Sequence, residues 1–584
     1  MTLRPGFSAL FLVFISLGIY YPTIFAPLNS LDDQLLVQQL FNQQSFSFAR
    51  HFNPGGTYDY FRPLLTLTFE VDKYVGGLQE SFMHLVNILL HTLNVVLVFM
   101  LARQFAFFVK RKGTLLPFLS AALFALHPLN TEAVNWIAGR TDLLAGSFVF
   151  ASLICILAAL ERHSILWGSA GAVALLGGSL CKETALFLVP GIFLLLLWRP
   201  SSDQNAWPGR WGIMALCLAV VGGYFTLRWG AFATDRGGGH IIKFVNKLVT
   251  VPSRTVTGGT QVSAPFPYLD AVLVVLKATG FYVSKFFNPL PLNFAITRVA
   301  PLFILPGVIV AGILPALAFR RRPVGIFFIL SAILGSSALL VVFTRVAWTP
   351  IAERYMYISC GLFAVAFVFG AASLVERLNA QKVCRIAVPL VLAAAAFVTV
   401  DRNIVWQDNL TLYQDTVRKS PDFGPARNEL AMSLYAHNRP KEARSIIEST
   451  RIPEGQTASL NKAVVLAEQG EYGGARAILT KRLLNPGAHE VRILTLLVKA
   501  TSEMAEKVAD QSEKRSLYQE IVGRLARLEQ LTHDPFHWYR MGRVYLILNN
   551  RQEAGRCFSE AAKRFSADSI YKGPATKLAR DLAK

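Results

Sequence analysis

Residues 7–33 read FSALFLVFISLGIYYPTIFAPLNSLDD. The run from Phe7 to Leu28 is apolar enough and long enough to cross a bilayer, for which a helix needs about 20 residues. It is too long for a signal-peptide core and no AxA-type site follows it, so it is expected to stay as an anchor. The Asp32–Asp33 pair comes directly after it. Two adjacent carboxylates beside a bilayer cost free energy unless something uses them, which makes them functional candidates.

The same kind of apolar run recurs along the chain, near 83–108, 115–136, 142–160, 164–180, 184–199, 211–228, 301–319, 324–343, 355–374 and 385–400. The 584 residues are 53% hydrophobic and 16% charged, with a mean hydropathy of +0.41. Soluble domains carry about 25% charged residues. An all-α, polytopic membrane helix bundle of about eleven spans is therefore expected.

The net charge of +21 is explained by position. Lys110–Arg111–Lys112, Glu161–Arg162–His163, segment 198–210, Arg320–Arg321–Arg322 and segment 376–385 all fall between spans on one side, the cytoplasmic side by the positive-inside rule. No basic-aromatic module is present, so nucleic acid is not expected as a partner. The opposite side receives 29–82, 127–141, about 229–300, 344–354 and everything after 400. Segment 269–287 is apolar, but Lys277 and Lys285 interrupt it and Pro289 and Pro291 follow, so it is expected as an interfacial or re-entrant helix. The six cysteines are scattered, with neither metal-type spacing nor a disulfide framework.

After Asp401 the long apolar runs stop, which divides the chain into 1–401 and 402–584. Trp538, Met541, Gly542, Tyr545, Ala554, Phe558 and Ala561 follow tetratricopeptide spacing, in which small residues let two antiparallel helices approach and large ones fill the gap. Leu430, Ala431, Leu434 and Ala443 repeat it, and Ala463, Leu466, Ala475 and Leu479 repeat it more weakly. A C-terminal TPR α-solenoid, a binding surface for an acceptor protein or peptide, is expected.

Asp32 and Asp33 suit proton abstraction from a hydroxyl. They also suit a divalent cation, or simply a helix N-cap with a first-turn acid. His84, Asn87 and His91 share a helix face, where hydrogen bonding between helices is the ordinary role. On the same side as the Asp pair lie Arg62 (in FRPL), Arg140 (in GRTDLLA), Lys182 (in CKET) and Arg354 (in WTPIAERYMY). If these four cations converge, they form a pocket for a phosphate or pyrophosphate head group. His127, Glu132, Glu183 and Glu353 stand beside them as supporting residues. Either Lys182–Glu183 is such a binding element or it is a self-neutralising pair.

These blocks in this order carry a family resemblance: DDQLL, YFRPLLTLTFEVDKYVGGLQESFMHLVNILLH, ALFALHPLNTEAVNWIAGRTDLLA, CKETAL, IAERYMYISCGL, and RNIVWQDNLTLYQDTVRKSPDFGPARNELAMSLY leading into the repeats. The chain resembles the transmembrane and tetratricopeptide-repeat containing protein family, over about 430 residues. That resemblance implies the GT-C glycosyltransferase fold, a polyprenyl- or dolichyl-phosphate sugar donor, and transfer to protein Ser or Thr outside the cytoplasm. It makes Asp32 or Asp33 the base. The chain is shorter than the animal members and ends without an ER retention signal, which implies a bacterial relative at the inner membrane with its active site and repeats facing the periplasm. Mannose is the least transferable feature.

Three other readings share some of these features. Transfer to a lipid-linked glycan or lipid A uses the same membrane chemistry. A non-enzymatic membrane-anchored scaffold would need one anchor, not many spans. A transporter predicts charges at mid-bilayer depth and a duplicated set of spans, and neither is evident.

Overall fold

The computed structural model describes residues 4–42, 46–52, 60–197, 208–236, 267–320, 323–344, 351–448, 456–468, 470–484, 486, 490–565, 569 and 571–582. Segment 198–207, Arg321–Arg322 and Trp348–Pro350, all used in the sequence reading, lie outside them. Among the described residues the regular structure is helical, with a single isolated bridge between Ile296 and Ile351.

Six helices combine the length and apolar composition of a span: Pro5–Phe25, Glu80–Phe108, Ile137–Arg162, Gly209–Ala231, Glu353–Arg377 and Gln381–Trp406. Shorter apolar helices cover Leu115–Leu126, Ile165–Cys181, Glu183–Leu197, Pro301–Leu317 and Val324–Ser337. Pro5 opens the first helix, where its fixed φ fits and its missing N–H is not needed. The helices at 80–108 and 140–162 run through the middle of the bundle, burying Val95, Phe105, Phe150 and Ile156. Gln381–Trp406 instead exposes Ile386, Leu390 and Phe397, an apolar face suited to lipid tails.

Side-chain contacts gather the loops at two ends of this bundle. At one end Arg111 pairs with Glu376, and Gln104 bonds Glu161. These are the loops the basic clusters assign to a common side. At the other end lie the Asp32–Asp33 loop, segment 127–142, Lys182, Glu353–Arg354 and residues 402–420.

The helix Pro267–Phe287 covers the segment expected as interfacial or re-entrant. It packs side by side and antiparallel with Ile304–Phe319. A Cβ on Gly280 would sit 1.9 Å from the Phe303 carbonyl oxygen, and one on Gly307 the same distance from that of Leu276, so the two backbones touch through glycines. Lys285, which seemed to break the run, is buried at the helix end, donating to the Pro289 carbonyl at 2.8 Å.

Contacts divide the chain into two units, Met1–Pro421 and Asp422–Lys584. In the first, the helix after the last span, Asn409–Lys419, folds back so that Tyr413 donates to Asn29 at 2.8 Å. The second unit is a run of helices from Gly424–Ala436 to Lys572–Leu582, in which Gly424–Ala436 packs on both Pro440–Glu448 and Gln456–Glu468 and, from Gln456–Glu468 on, each packs on the next in sequence. Ala431, Leu434, Ala443, Ala463, Ala475, Ala554 and Phe558 are buried between them. A Cβ on Gly542 would meet the Phe558 ring at 2.9 Å, so the small residue sets the approach of helices 535–547 and 551–564.

Candidate active site

Segment 132–142 is the hub of the loop-rich end. It leaves the short helix Thr131–Asn135, makes one 3-10 turn at Ile137–Gly139 and enters the helix starting at Arg140. The Glu132 carboxylate accepts from the Arg354 backbone N–H at 3.0 Å and from its guanidinium. Asn135 accepts from Thr23 at 2.7 Å and donates to Asn403 at 2.8 Å, tying the ends of the first and last spans. The Ala138 N–H donates to Asp33 at 3.0 Å. Arg140 pairs with Asp72 at 2.6 Å, and Asp142 with Lys182 at 2.5 Å.

The two aspartates differ in environment. Asp33, 1% exposed, accepts from the Asn29 N–H at 3.1 Å with one oxygen and from Ala138 with the other. Burial pushes its carboxyl up to about 7, against the pull of those backbone donors; neighbouring Asp32 adds to the rise. Asp32, in the turn before helix Asp33–Asn42, remains partly exposed. Among the described residues no group of three His, Cys, Asp or Glu side chains has metal-binding geometry. Both Asp33 oxygens face N–H donors, which works against a cation at that carboxylate.

Of the four cations, three come together. Arg62 forms a two-pronged pair with Glu183 at 2.8 and 3.1 Å. Arg354 stacks over Trp136 at 4.6 Å and Tyr355 at 4.8 Å, and the Lys182 ammonium lies 4.9 Å from the same Tyr355 ring. Burial lowers the Lys182 ammonium from the usual lysine range; Asp142 opposes this, while Arg62 and Arg354 are close enough to add to it. Asp142, Lys182, Thr184, Ser337 and Tyr355 line one small cavity.

Arg140 lies elsewhere. Fully buried, it donates to Asn87 and to the Met83 carbonyl, both at 2.9 Å, and covers the Phe69 ring at 4.4 Å. His127 is a structural pin: Leu129 N–H donates to it, it bonds the Phe286 carbonyl at 3.0 Å, and burial lowers it to about 4, so it stays neutral. Glu353 accepts from the Asn293 N–H at 2.9 Å and faces Lys285 at 3.4 Å. His91 and Asn87 act as hydrogen-bonding links, to Tyr357 at 2.8 Å and to the Trp136 carbonyl at 2.9 Å.

Sequence reasoning passed over Asp142, Tyr355 and Asp72. Asp142 stood two residues after Arg140 in the quoted block; its signal was an acid in the first turn of a span, where an unpaired charge is costly.

The arrangement defines a polytopic helical membrane protein with a buried, charge-paired cluster and a carboxylate-bearing loop at one end. The family described as dolichyl-phosphate-mannose-protein mannosyltransferase matches residues 64–224. The chain is similar to the human protein O-mannosyl-transferase TMTC1, 26% identical over 437 residues that cover 66% of this chain and 47% of that protein. Against the Drosophila melanogaster protein O-mannosyl-transferase Tmtc1 it is 38% identical over 161 residues, 26% of this chain and 17% of that protein. It thus spans about half or less of these relatives. The likeness read from the sequence blocks is borne out.

Two solved structures are also similar. One is the Archaeoglobus fulgidus oligosaccharyltransferase tethered with an acceptor peptide (TM-score 0.33, 11% identity, 75% of this chain and 58% of that chain). The other is the archaeal oligosaccharyltransferase AglB from the same organism, in complex with an inhibitory peptide and a dolichol-phosphate (TM-score 0.36, 10% identity, 70% and 55%). Overlap that loose transfers no residue role.

Proposed function

We propose that this chain is an integral-membrane glycosyltransferase of the GT-C kind, moving a sugar from a polyprenyl-phosphate donor to Ser or Thr hydroxyls of proteins outside the cytoplasm. One observation carries the reading: segment 132–142 holds the Asp33 loop through Ala138 and, one turn on, the partner of Lys182 through Asp142. A base and a phosphate-binding cluster on adjacent turns are what a single displacement needs.

The donor's phosphate lies against Lys182, Arg354 and Arg62. Asp32 is the base, because it is partly exposed while Asp33 is buried with both oxygens on backbone donors. Asp33 positions the loop, and Arg140 with Asp72 anchors its underside. The acceptor oxygen attacks the anomeric carbon and its proton passes to Asp32. The bond from that carbon to the phosphate oxygen breaks, lipid phosphate leaves, and the centre inverts. Lipid phosphate is a competent leaving group, so no second carboxylic acid is required, unlike glycoside hydrolysis. Fixed cations around the growing charge lower the barrier without reorganising. The helices of 422–584, read as tetratricopeptide repeats, hold the acceptor chain and raise its local concentration.

Intact-mass spectrometry of extracytoplasmic proteins from cells with and without the gene tests this. A sugar mass should vanish from a defined set of proteins on deletion, and return with the wild-type gene but not with Asp32→Asn. Unchanged masses on deletion would sink the proposal.

A further inference from the structure

We propose that Asp142 is a displaceable counter-ion: it holds Lys182 until the donor lipid's phosphate takes the ammonium over. This inference rests on the donor-site reading above. Arg62, Lys182 and Arg354 each face a carboxylate, namely Glu183, Asp142 and Glu132. Three cations and three anions make a cluster with almost no net pull on an incoming phosphate. Binding becomes favourable when one carboxylate yields.

The three carboxylates are held unequally. Glu183 places both oxygens on the Arg62 fork. Glu132 uses one oxygen on the Arg354 guanidinium and the other on its backbone N–H. Two-pronged pairs of this kind are strong and geometrically fixed. Asp142 engages Lys182 through Oδ1 alone, and its Oδ2 is buried with no hydrogen-bond partner among the described residues. Lysine offers a point charge on a flexible stem instead of a fork, so this pair separates most easily.

Asp142 and Lys182 also face the cavity that a ligand would widen. With Thr184, Ser337 and Tyr355 they enclose about 10 Å³, room for one water molecule. A phosphate fits there only after the pair parts. The exchange has a second consequence. The donor phosphodiester carries one negative charge, whereas the lipid monophosphate left after transfer carries up to two. A carboxylate competing for the same ammonium therefore promotes release of that product.

The test is binding of undecaprenyl phosphate to the full chain in nanodiscs, for wild type, Asp142→Asn and Lys182→Ala. Asp142→Asn should bind about tenfold tighter and Lys182→Ala about tenfold weaker, the size of one charge-assisted bond. If Lys182→Ala weakens binding while Asp142→Asn leaves it unchanged or weaker, the counter-ion idea is overturned and the donor site stands. If Lys182→Ala binds as wild type does, the donor-site reading falls and this inference with it. Should Asp142→Asn not fold, Asp142→Ser carries the same expectation.

Discussion

Asp33 is a residue whose environment decides its role. A carboxyl near 7 in the fold and near 3.8 when exposed keeps its proton in the folded chain over a range where the unfolded chain has lost it. The folded state then binds more protons, so this group's contribution to stability is full below about pH 4, declines as pH rises toward 7 and is lost above it. Thermal unfolding of the detergent-solubilised protein between those limits should show Asp33→Asn with a flatter pH dependence than wild type. The same substitution replaces an acceptor with an amide beside two N–H donors and should lower stability by about 1–3 kcal/mol. Identical pH profiles for the two proteins would remove the buried-acid account. The sequence made Asp32 and Asp33 equals. Their difference came from Ala138, more than a hundred residues away, and no local pattern signals such a contact.

Among the elements, the helices were the more legible part. The apolar runs at 83–108, 355–374 and 385–400 correspond to helices 80–108, 353–377 and 381–406. Hydropathy reads such runs because a backbone in lipid has to satisfy itself as helix. Segment 269–287 forms the helix Pro267–Phe287, whose partner composition does not name, because composition describes a helix's exposure and not its neighbour. Its Lys285 ends on the Pro289 and Pro291 carbonyls and the Glu353 carboxylate, and its Gly280 meets Gly307. In the second unit the repeat spacing makes a sharper claim. Gly542→Leu would drive a side chain into Phe558 and should destabilise that unit by about 1–3 kcal/mol. Gly523→Ala meets nothing within 4 Å and should stabilise its helix by up to about 1 kcal/mol. Both are read from thermal unfolding of the full chain. A neutral Gly542→Leu would show that the two helices are not held apart by this contact.

At the scale of the whole molecule, charge distribution and contacts agree on two ends. Arg111 and Glu376 meet at one, and Asp33, Lys182 and Arg354 gather toward the other, from which the last span's successor helix departs. A reporter fused after Pro421 should therefore be active outside the cytoplasm, and one fused after Lys112 inside it. The opposite pair of results would invert the bundle and separate the proposed base from an extracytoplasmic acceptor.

The sequence alone determined that this is a helical membrane protein whose long apolar runs stop before a helical tail, because water and lipid sort side chains by type and helix length by bilayer thickness. It also marked the loop blocks, whose residue order resembles a known family. Only the tertiary structure decided which charges meet. It brought Arg62, Lys182 and Arg354 together and drew Arg140 away to Asp72. It also set Asp142 against Lys182, because a charge taken from water must find a partner in space. That partner is chosen by how the helices pack, and spacing along the chain does not reveal it.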